Sequence, residues 1–203
     1  MLGSAVVVLD LLENGVKRRL AFTGDLGRPQ NLILRDPERP LDFDVLITES
    51  TYGGRIHPPY EQADKELAEV IIQAADQQGK IIVPSFAVGR TQELVFRISQ
   101  LQVAKKIPLL PIYVDSPLTV DVTEIYKLHP DCYDEDVRRI IDKGGEPFGF
   151  KNLTYIRDVE GSKALNSKPG PMMIISASGM AETGRILHHL RNNIGDPRNT
   201  ILI

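Results

Sequence analysis

Two rhythms of apolar and polar positions divide the chain. Residues 5–12 (AVVVLDLL) and 18–23 (RRLAFT) are apolar, β-rich runs, and the Asn14-Gly15 pair between them is a strong hairpin signal. A loop rich in Pro, Arg and Asp (28–44) follows, then DVLITES, a short apolar strand ending on Glu49. This opening section predicts an antiparallel meander joined to a buried strand. From Pro58 the period changes. Residues 61–77 carry apolar side chains at 67, 68, 71, 72 and 75, the stripe of a helix, and Gly79 ends it. KIIVPSF reads as a strand, about 90–104 as a second helix and LLPIYVDSP as another strand. Helices near 117–128 and 134–143 precede the strand LTYIRDV; the strand PMMIISASG, the helix GRILHHLRNN and the strand NTILI complete the chain. Strands alternating with helices predict a parallel sheet with helices on both faces. The Gly/Pro-rich TYGGRIHPP (51–59) marks the boundary, giving one unit over 1–57 and another over 58–203.

Composition narrows the classes without choosing among them. With 24 Lys and Arg against 27 Asp and Glu, the net charge is −3, so no global basic field points to nucleic acid. A local basic groove on an acidic protein stays open. The single cysteine, Cys132, excludes an intramolecular disulfide and a Cys-rich zinc site, and fits a reducing, cytoplasmic setting. There is no run of about 18 apolar residues, so no membrane partner is expected. The chain enters on MLGSAVVVLDLL and stops on NTILI, both strand-like, which predicts a fragment of a longer protein.

Chemistry is expected beyond the carboxyl ends of the parallel strands, where open α/β sheets collect ligands. Those ends carry Ser85, then Gly89, Arg90 and Thr91 in FAVGRTQEL, then Asp115-Ser116, then Ser176, Ser178 and Gly179 in SASGM, followed by Arg185. Small hydroxyl residues and glycines let a backbone approach a phosphate and offer it N–H donors. The plain alternative is a set of ordinary capped βα loops. Asp25, in FTGDLGR, and Glu49, in ITESTYG, stand where apolar strands end; each reads as a turn or cap residue or as part of a metal or catalytic site. The histidines do not complete such a site. His57 and His129 lie beside prolines, and the adjacent His188 and His189 lack the i, i+4 spacing that puts two imidazoles on one helix face.

Five strings in order, FTGDLGR, ITESTYG, IIVPSFAVGRTQEL, PIYVDSPL and IISASGMAETGRILHHL, resemble the β-CASP branch of the metallo-β-lactamase superfamily, a group of RNA-processing nucleases. The resemblance implies an α/β fold: part of a metallo-β-lactamase-like β-sandwich (1–57) joined to a parallel-sheet, Rossmann-like β-CASP domain (58–203). It implies that Asp25 bridges two zinc ions in the intact parent. Glu49 would orient a metal-bound histidine. Arg90, Ser176, Ser178 and Gly179 would face the backbone of a single-stranded RNA substrate.

This sequence also departs from the family pattern. The His-x-His-x-Asp-His signature is absent, a further histidine ligand would stand just before MLGSA, and two later histidines would lie past Ile203. The fragment alone is therefore expected to hold no stoichiometric zinc and to be inactive, while the parent is a zinc-dependent ribonuclease. Two rivals remain. One is a non-catalytic β-CASP scaffold or RNA-binding module; the other is a DNA-directed nuclease of the same superfamily. A homodimer is a further expectation, since strands without their sandwich partners expose apolar surface.

Overall fold

The computed structural model describes residues 1–38 and 42–203; of the 28–44 loop, residues 39–41 lie outside the described residues. Two sheets form. The first joins β1 (Val7–Glu13), β2 (Val16–Phe22) and β3 (Val45–Ile47). β1 and β2 are the expected hairpin, turning at Asn14 and Gly15 with φ of 52° and 80°, the left-handed pair a two-residue hairpin requires.

One expectation holds in this sheet and one fails. The β1 and β2 pair is antiparallel, and β3 adds to it parallel to β2, with Leu20 opposite Val45 and Phe22 opposite Ile47. The 23–44 connection is long enough for a parallel return, as a tight turn is not. The expected burial of β3 is what fails. All of β1 and β3 is exposed, and Ala21 is the one buried residue of the three strands. An apolar run reports the tendency to be covered; no other layer of the described residues covers this one.

The second sheet is parallel and five-stranded, in the order β6-β5-β7-β4-β8. Its members are β4 (Lys80–Pro84), β5 (Ile112–Asp115), β6 (Leu153–Ile156), β7 (Met172–Ser176) and β8 (Thr200–Ile201). α1 (Tyr60–Asp76) precedes them, and between them run α2 (Arg90–Val103), α3 (Pro117–Leu128), α4 (Glu135–Asp142), α5 (Val159–Ser167) and α6 (Ile186–Asn193). Alternation along the strands sorts their side chains between two layers. Ile81, Val83, Val114, Met173 and Ile175 meet α1 and α2 on one face; Ile82, Tyr113 and Ile174 meet α5 and α6 on the other.

The helix α5 was not foreseen. Its stretch contains Gly161 and buries only Ser162 and Leu165, too little for a visible stripe. Its signal is the cap: the Asp158 carboxylate accepts from the Gly161 N–H at 2.6 Å.

A third apolar cluster joins the opening section to the α/β unit. Ile33 packs with Phe96 of α2, Tyr126 of α3, and Tyr133, Val137 and Phe148. Backbone bonds fix the join, from Arg35 N–H to the Cys132 carbonyl (3.0 Å) and from Asp134 N–H to the Ile33 carbonyl (2.9 Å). Beside it, the Tyr60 ring lies between two guanidiniums, Arg28 at 3.8 Å and Arg97 at 4.4 Å. No helix among the described residues is long and apolar enough to cross a membrane.

Candidate active site

Asp25 and Glu49 leave the same end of neighbouring strands. Phe22 is opposite Ile47, and one residue on, the Thr23 N–H donates to the Ile47 carbonyl (3.0 Å) while the Thr23 and Thr48 hydroxyls meet at 3.3 Å. Gly24 makes the exit possible. Its φ is +57°, and a Cβ there would lie 3.0 Å from the Ala5 carbonyl oxygen. The Ser4 hydroxyl then donates to the Asp25 carbonyl (2.7 Å), and the Gly27 N–H donates to Glu49 Oε1 (3.4 Å). The Thr51 hydroxyl, followed by the Gly27 N–H, holds the Glu49 carboxyl below its ordinary range. Asp25 lines a cavity of about 670 Å³ together with Ser4, Thr23, Arg28, Arg35 and Asp36.

The second set of loops stands at the carboxyl ends of β4 and β7, which are adjacent in the sheet. The chain leaves β4 toward α2 on one face and leaves β7 toward α6 on the other. Opposite departures from neighbouring strands open a crevice, the topological switch point of an α/β sheet.

The 86–89 loop at this crevice is locked from below by side chains of α2. The Thr91 hydroxyl donates to the Phe86 carbonyl (2.8 Å) and lies 2.9 Å from the Ser85 hydroxyl. The buried Gln92 amide donates to the Ala87 carbonyl (3.1 Å) and to Thr123 Oγ1 (3.0 Å), while its oxygen accepts from the Gly89 N–H (2.8 Å). Arg90, first residue of α2, is exposed and forms no ion pair among the described residues. Gly89 also borders the other site: a Cβ there would lie 3.8 Å from Met1 Cγ, and Met1 lines the Asp25 cavity.

Under the crevice lies a polar network whose partners are far apart in sequence. The fully buried Asp115 carboxylate accepts from Ser162 Oγ (2.6 Å) and Arg185 Nη1 (2.8 Å) and faces His189 Nε2 at 2.6 Å. His189 Nδ1 faces Asn166 Oδ1 at 3.0 Å, and Arg185 Nη2 donates to the Arg157 carbonyl (2.7 Å). Burial alone would raise the Asp115 carboxyl; the bonds from His189, Ser162 and Arg185 outweigh it and hold the group low.

The structure therefore sorts the residues singled out in the sequence. Asp25 and Glu49 stand at the same end of adjacent strands, with Asp25 lining the cavity and Glu49 bonded to the Gly27 N–H two residues past Asp25. Arg90 stands at the start of α2, after β4, and Ser178 and Gly179 in the loop after β7, the neighbouring strand; of the three, Gly179 approaches the β4 side, against Phe86. Ser176 lies deeper: it is buried, and its hydroxyl donates to the Asp115 carbonyl (2.8 Å). Ser178 is bonded within its own loop, to the Thr183 carbonyl at 3.3 Å. Asp115, placed by its motif among ligand-facing residues, points into the protein instead. Sequence reasoning missed its pairing with His189 and the role of Gln92. The signal for His189 was its helix face, three residues after Ile186 and four before Asn193, both buried.

Among the described residues, no group of three or more His, Cys, Asp or Glu side chains is placed to hold a metal ion. Asp25 and Glu49 alone fall short of the three or four protein donors a zinc ion takes, so the donors of this chain do not fit two zinc ions by themselves.

The family model described as the Beta-Casp domain matches residues 91–203, more than half of the chain. This chain belongs to the β-CASP family. It is 38% identical over 200 residues to Ribonuclease TTHA0252 of Thermus thermophilus, covering 98% of this chain and 45% of that protein. It is 30% identical over 206 residues to the RNase J-like protein of Methanocaldococcus jannaschii, covering 100% of this chain and 46% of the relative. Against Cleavage and polyadenylation specificity factor subunit 3 of Dictyostelium discoideum the identity is 30% over 205 residues, covering 100% of this chain and 25% of that one. The β-CASP chain thus spans less than half the length of these relatives. The expected α/β fold with a parallel β-CASP sheet is the one observed.

Proposed function

We propose that this chain is part of a metal-dependent ribonuclease that hydrolyses phosphodiester bonds of single-stranded RNA during RNA processing or decay. The observation that carries the reading is the pairing of Asp25 and Glu49 at the ends of adjacent strands, in a β-CASP chain whose relatives are named as ribonucleases. Asp25 would offer one carboxylate to a metal centre, zinc in this proposal, that this chain's donors do not complete by themselves. Glu49, kept ionised by Thr51 and Gly27, is suited to orient a histidine ligand rather than to act as a proton donor. Arg90 supplies a fixed positive charge for the RNA backbone, and Ser178 and Gly179 let that backbone approach the loop after β7. Ser176 holds that loop from beneath through Asp115. The setting proposed is cytoplasmic.

The test is cleavage of matched single-stranded RNA and DNA by the full-length protein, with metal content measured on the same sample. The reading expects RNA cleavage that chelation abolishes and zinc restores. RNA binding without cleavage in a metal-replete sample would favour the non-catalytic scaffold. Equal or faster cleavage of DNA would favour the DNA-directed nuclease.

A further inference from the structure

We infer that Phe86 is a stacking platform for a nucleobase at the carboxyl ends of β4 and β7. The inference rests on the RNA reading above and adds a residue whose ligand is the base rather than the backbone.

Phe86 follows the carboxyl end of β4 by two residues, yet its side chain is 52% exposed in a stretch whose neighbours Ser85 and Ala87 are buried. An exposed aromatic is unremarkable when it stands alone on a convex surface. This one stands at the switch point of the sheet, where the chain leaves β4 and β7 in opposite directions. One side of the ring is taken by Gly179, from the loop after β7. A Cβ on Gly179 would lie 2.7 Å from Phe86 Cδ2, 2.8 Å from Cε2 and 2.9 Å from Cγ, so a side chain there would displace the ring. The exposed half of the ring is therefore the side turned away from Gly179.

The backbone beneath the ring is bonded on both sides. The Phe86 carbonyl accepts from Thr91, the Ala87 carbonyl from Gln92, and the Gly89 N–H donates back to Gln92. Three bonds over four residues fix the backbone that carries the ring. A ring carried on a fixed backbone leaves less freedom to lose when a planar ligand settles on it. Arg90, the first residue of α2 and four residues on, adds an exposed guanidinium. Stacked bases on an aromatic, with cationic side chains along the phosphates, form the common design of single-strand binding without sequence preference.

The test uses the full-length protein, metal chelated to prevent cleavage, and a fluorescent single-stranded RNA of about eight nucleotides. Wild type, Phe86→Ala and Phe86→Trp are compared, and an abasic nucleotide is moved through the strand one position at a time. Phe86→Ala is expected to weaken binding by about tenfold, the usual effect of removing one stacking aromatic, and Phe86→Trp to keep it. One abasic position should weaken wild type by a similar factor and leave Phe86→Ala unchanged, because the two changes remove the same contact. Wild-type affinity in Phe86→Ala, or the same abasic profile in both proteins, would overturn the inference while the RNA reading stands. An unaltered affinity with a lowered Tm would make Phe86 a packing residue and overturn it likewise. If wild type binds no RNA at all, the functional reading fails and this inference with it.

Discussion

In β7 all five residues from Met172 to Ser176 are buried; in β1 all seven from Val7 to Glu13 are exposed, although both strands are rich in apolar side chains. The difference lies in what surrounds them. β7 sits between β4 and β5, with α1 and α2 over one face and α5 and α6 over the other. β1 is an edge strand bonded only to β2, in a small sheet that nothing among the described residues covers. The cross-strand ion pair of Arg19 with Asp10 (2.7 Å) is exposed and adds little. The α/β unit thus carries its own stability, while the first sheet contributes the position of Asp25 and Glu49.

The largest effects expected from this contrast are in the shared core. Ile174→Ala, at a fully buried site in β7, should cost about 2–5 kcal/mol in urea unfolding of the 203-residue chain. Leu12→Ala, at a site 69% exposed in β1, should fall within about 0.5 kcal/mol. Equal losses at the two sites would break the comparison.

Asp115→Asn comes next. Removing one partner of a buried charged cluster typically costs about 3–5 kcal/mol; here Arg185 is partly exposed and keeps the Arg157 carbonyl, so about 3 kcal/mol is expected. The pH dependence has a definite sign. The folded-state Asp115 carboxyl is held below its unfolded value, so its contribution is fully present above about pH 4 and fades as pH falls through the lower folded value. Unfolding measured from pH 6 to pH 2 should show this acid loss in wild type, and a smaller one in Asp115→Asn.

The smallest effect is expected at a cap. Asp158→Ala removes the acceptor for the Gly161 N–H and should cost about 1 kcal/mol by the same unfolding measurement. A larger loss would mean that α5 matters more to the His189–Asp115 cluster than its two buried residues suggest.

What could be read from the chain follows the same division. Strands β4, β5 and β7 were legible because fully covered strands are continuous apolar runs, and α1 and α2 because one face of each is buried. The β1–β2 hairpin was legible from Asn14-Gly15. The direction of β3 was not, because a three-residue strand after a long loop carries no signal for the edge it joins. Asp25 and Glu49 stood out as carboxylates at the ends of apolar runs, and the structure sets them at the same end of adjacent strands. Asp115 stood out too, but its inward turn depends on Ser162, Arg185 and His189, which are 47 to 74 residues away. No local pattern encodes such a meeting. Gln92 was hidden for a different reason: a polar residue on the first turn of a helix looks exposed until the loop it bonds is known.

Under the proposed function, chemistry belongs to the Asp25–Glu49 corner and RNA binding to Arg90 and the loop after β7. The most direct test of that proposal is single-turnover cleavage of single-stranded RNA by the full-length protein, with affinity measured in parallel, for Asp25→Asn and Arg90→Ala. Asp25→Asn should bind RNA near the wild-type affinity and cleave at background, whereas Arg90→Ala should lose affinity and keep its cleavage rate at saturating enzyme. Wild-type cleavage by Asp25→Asn would contradict the account.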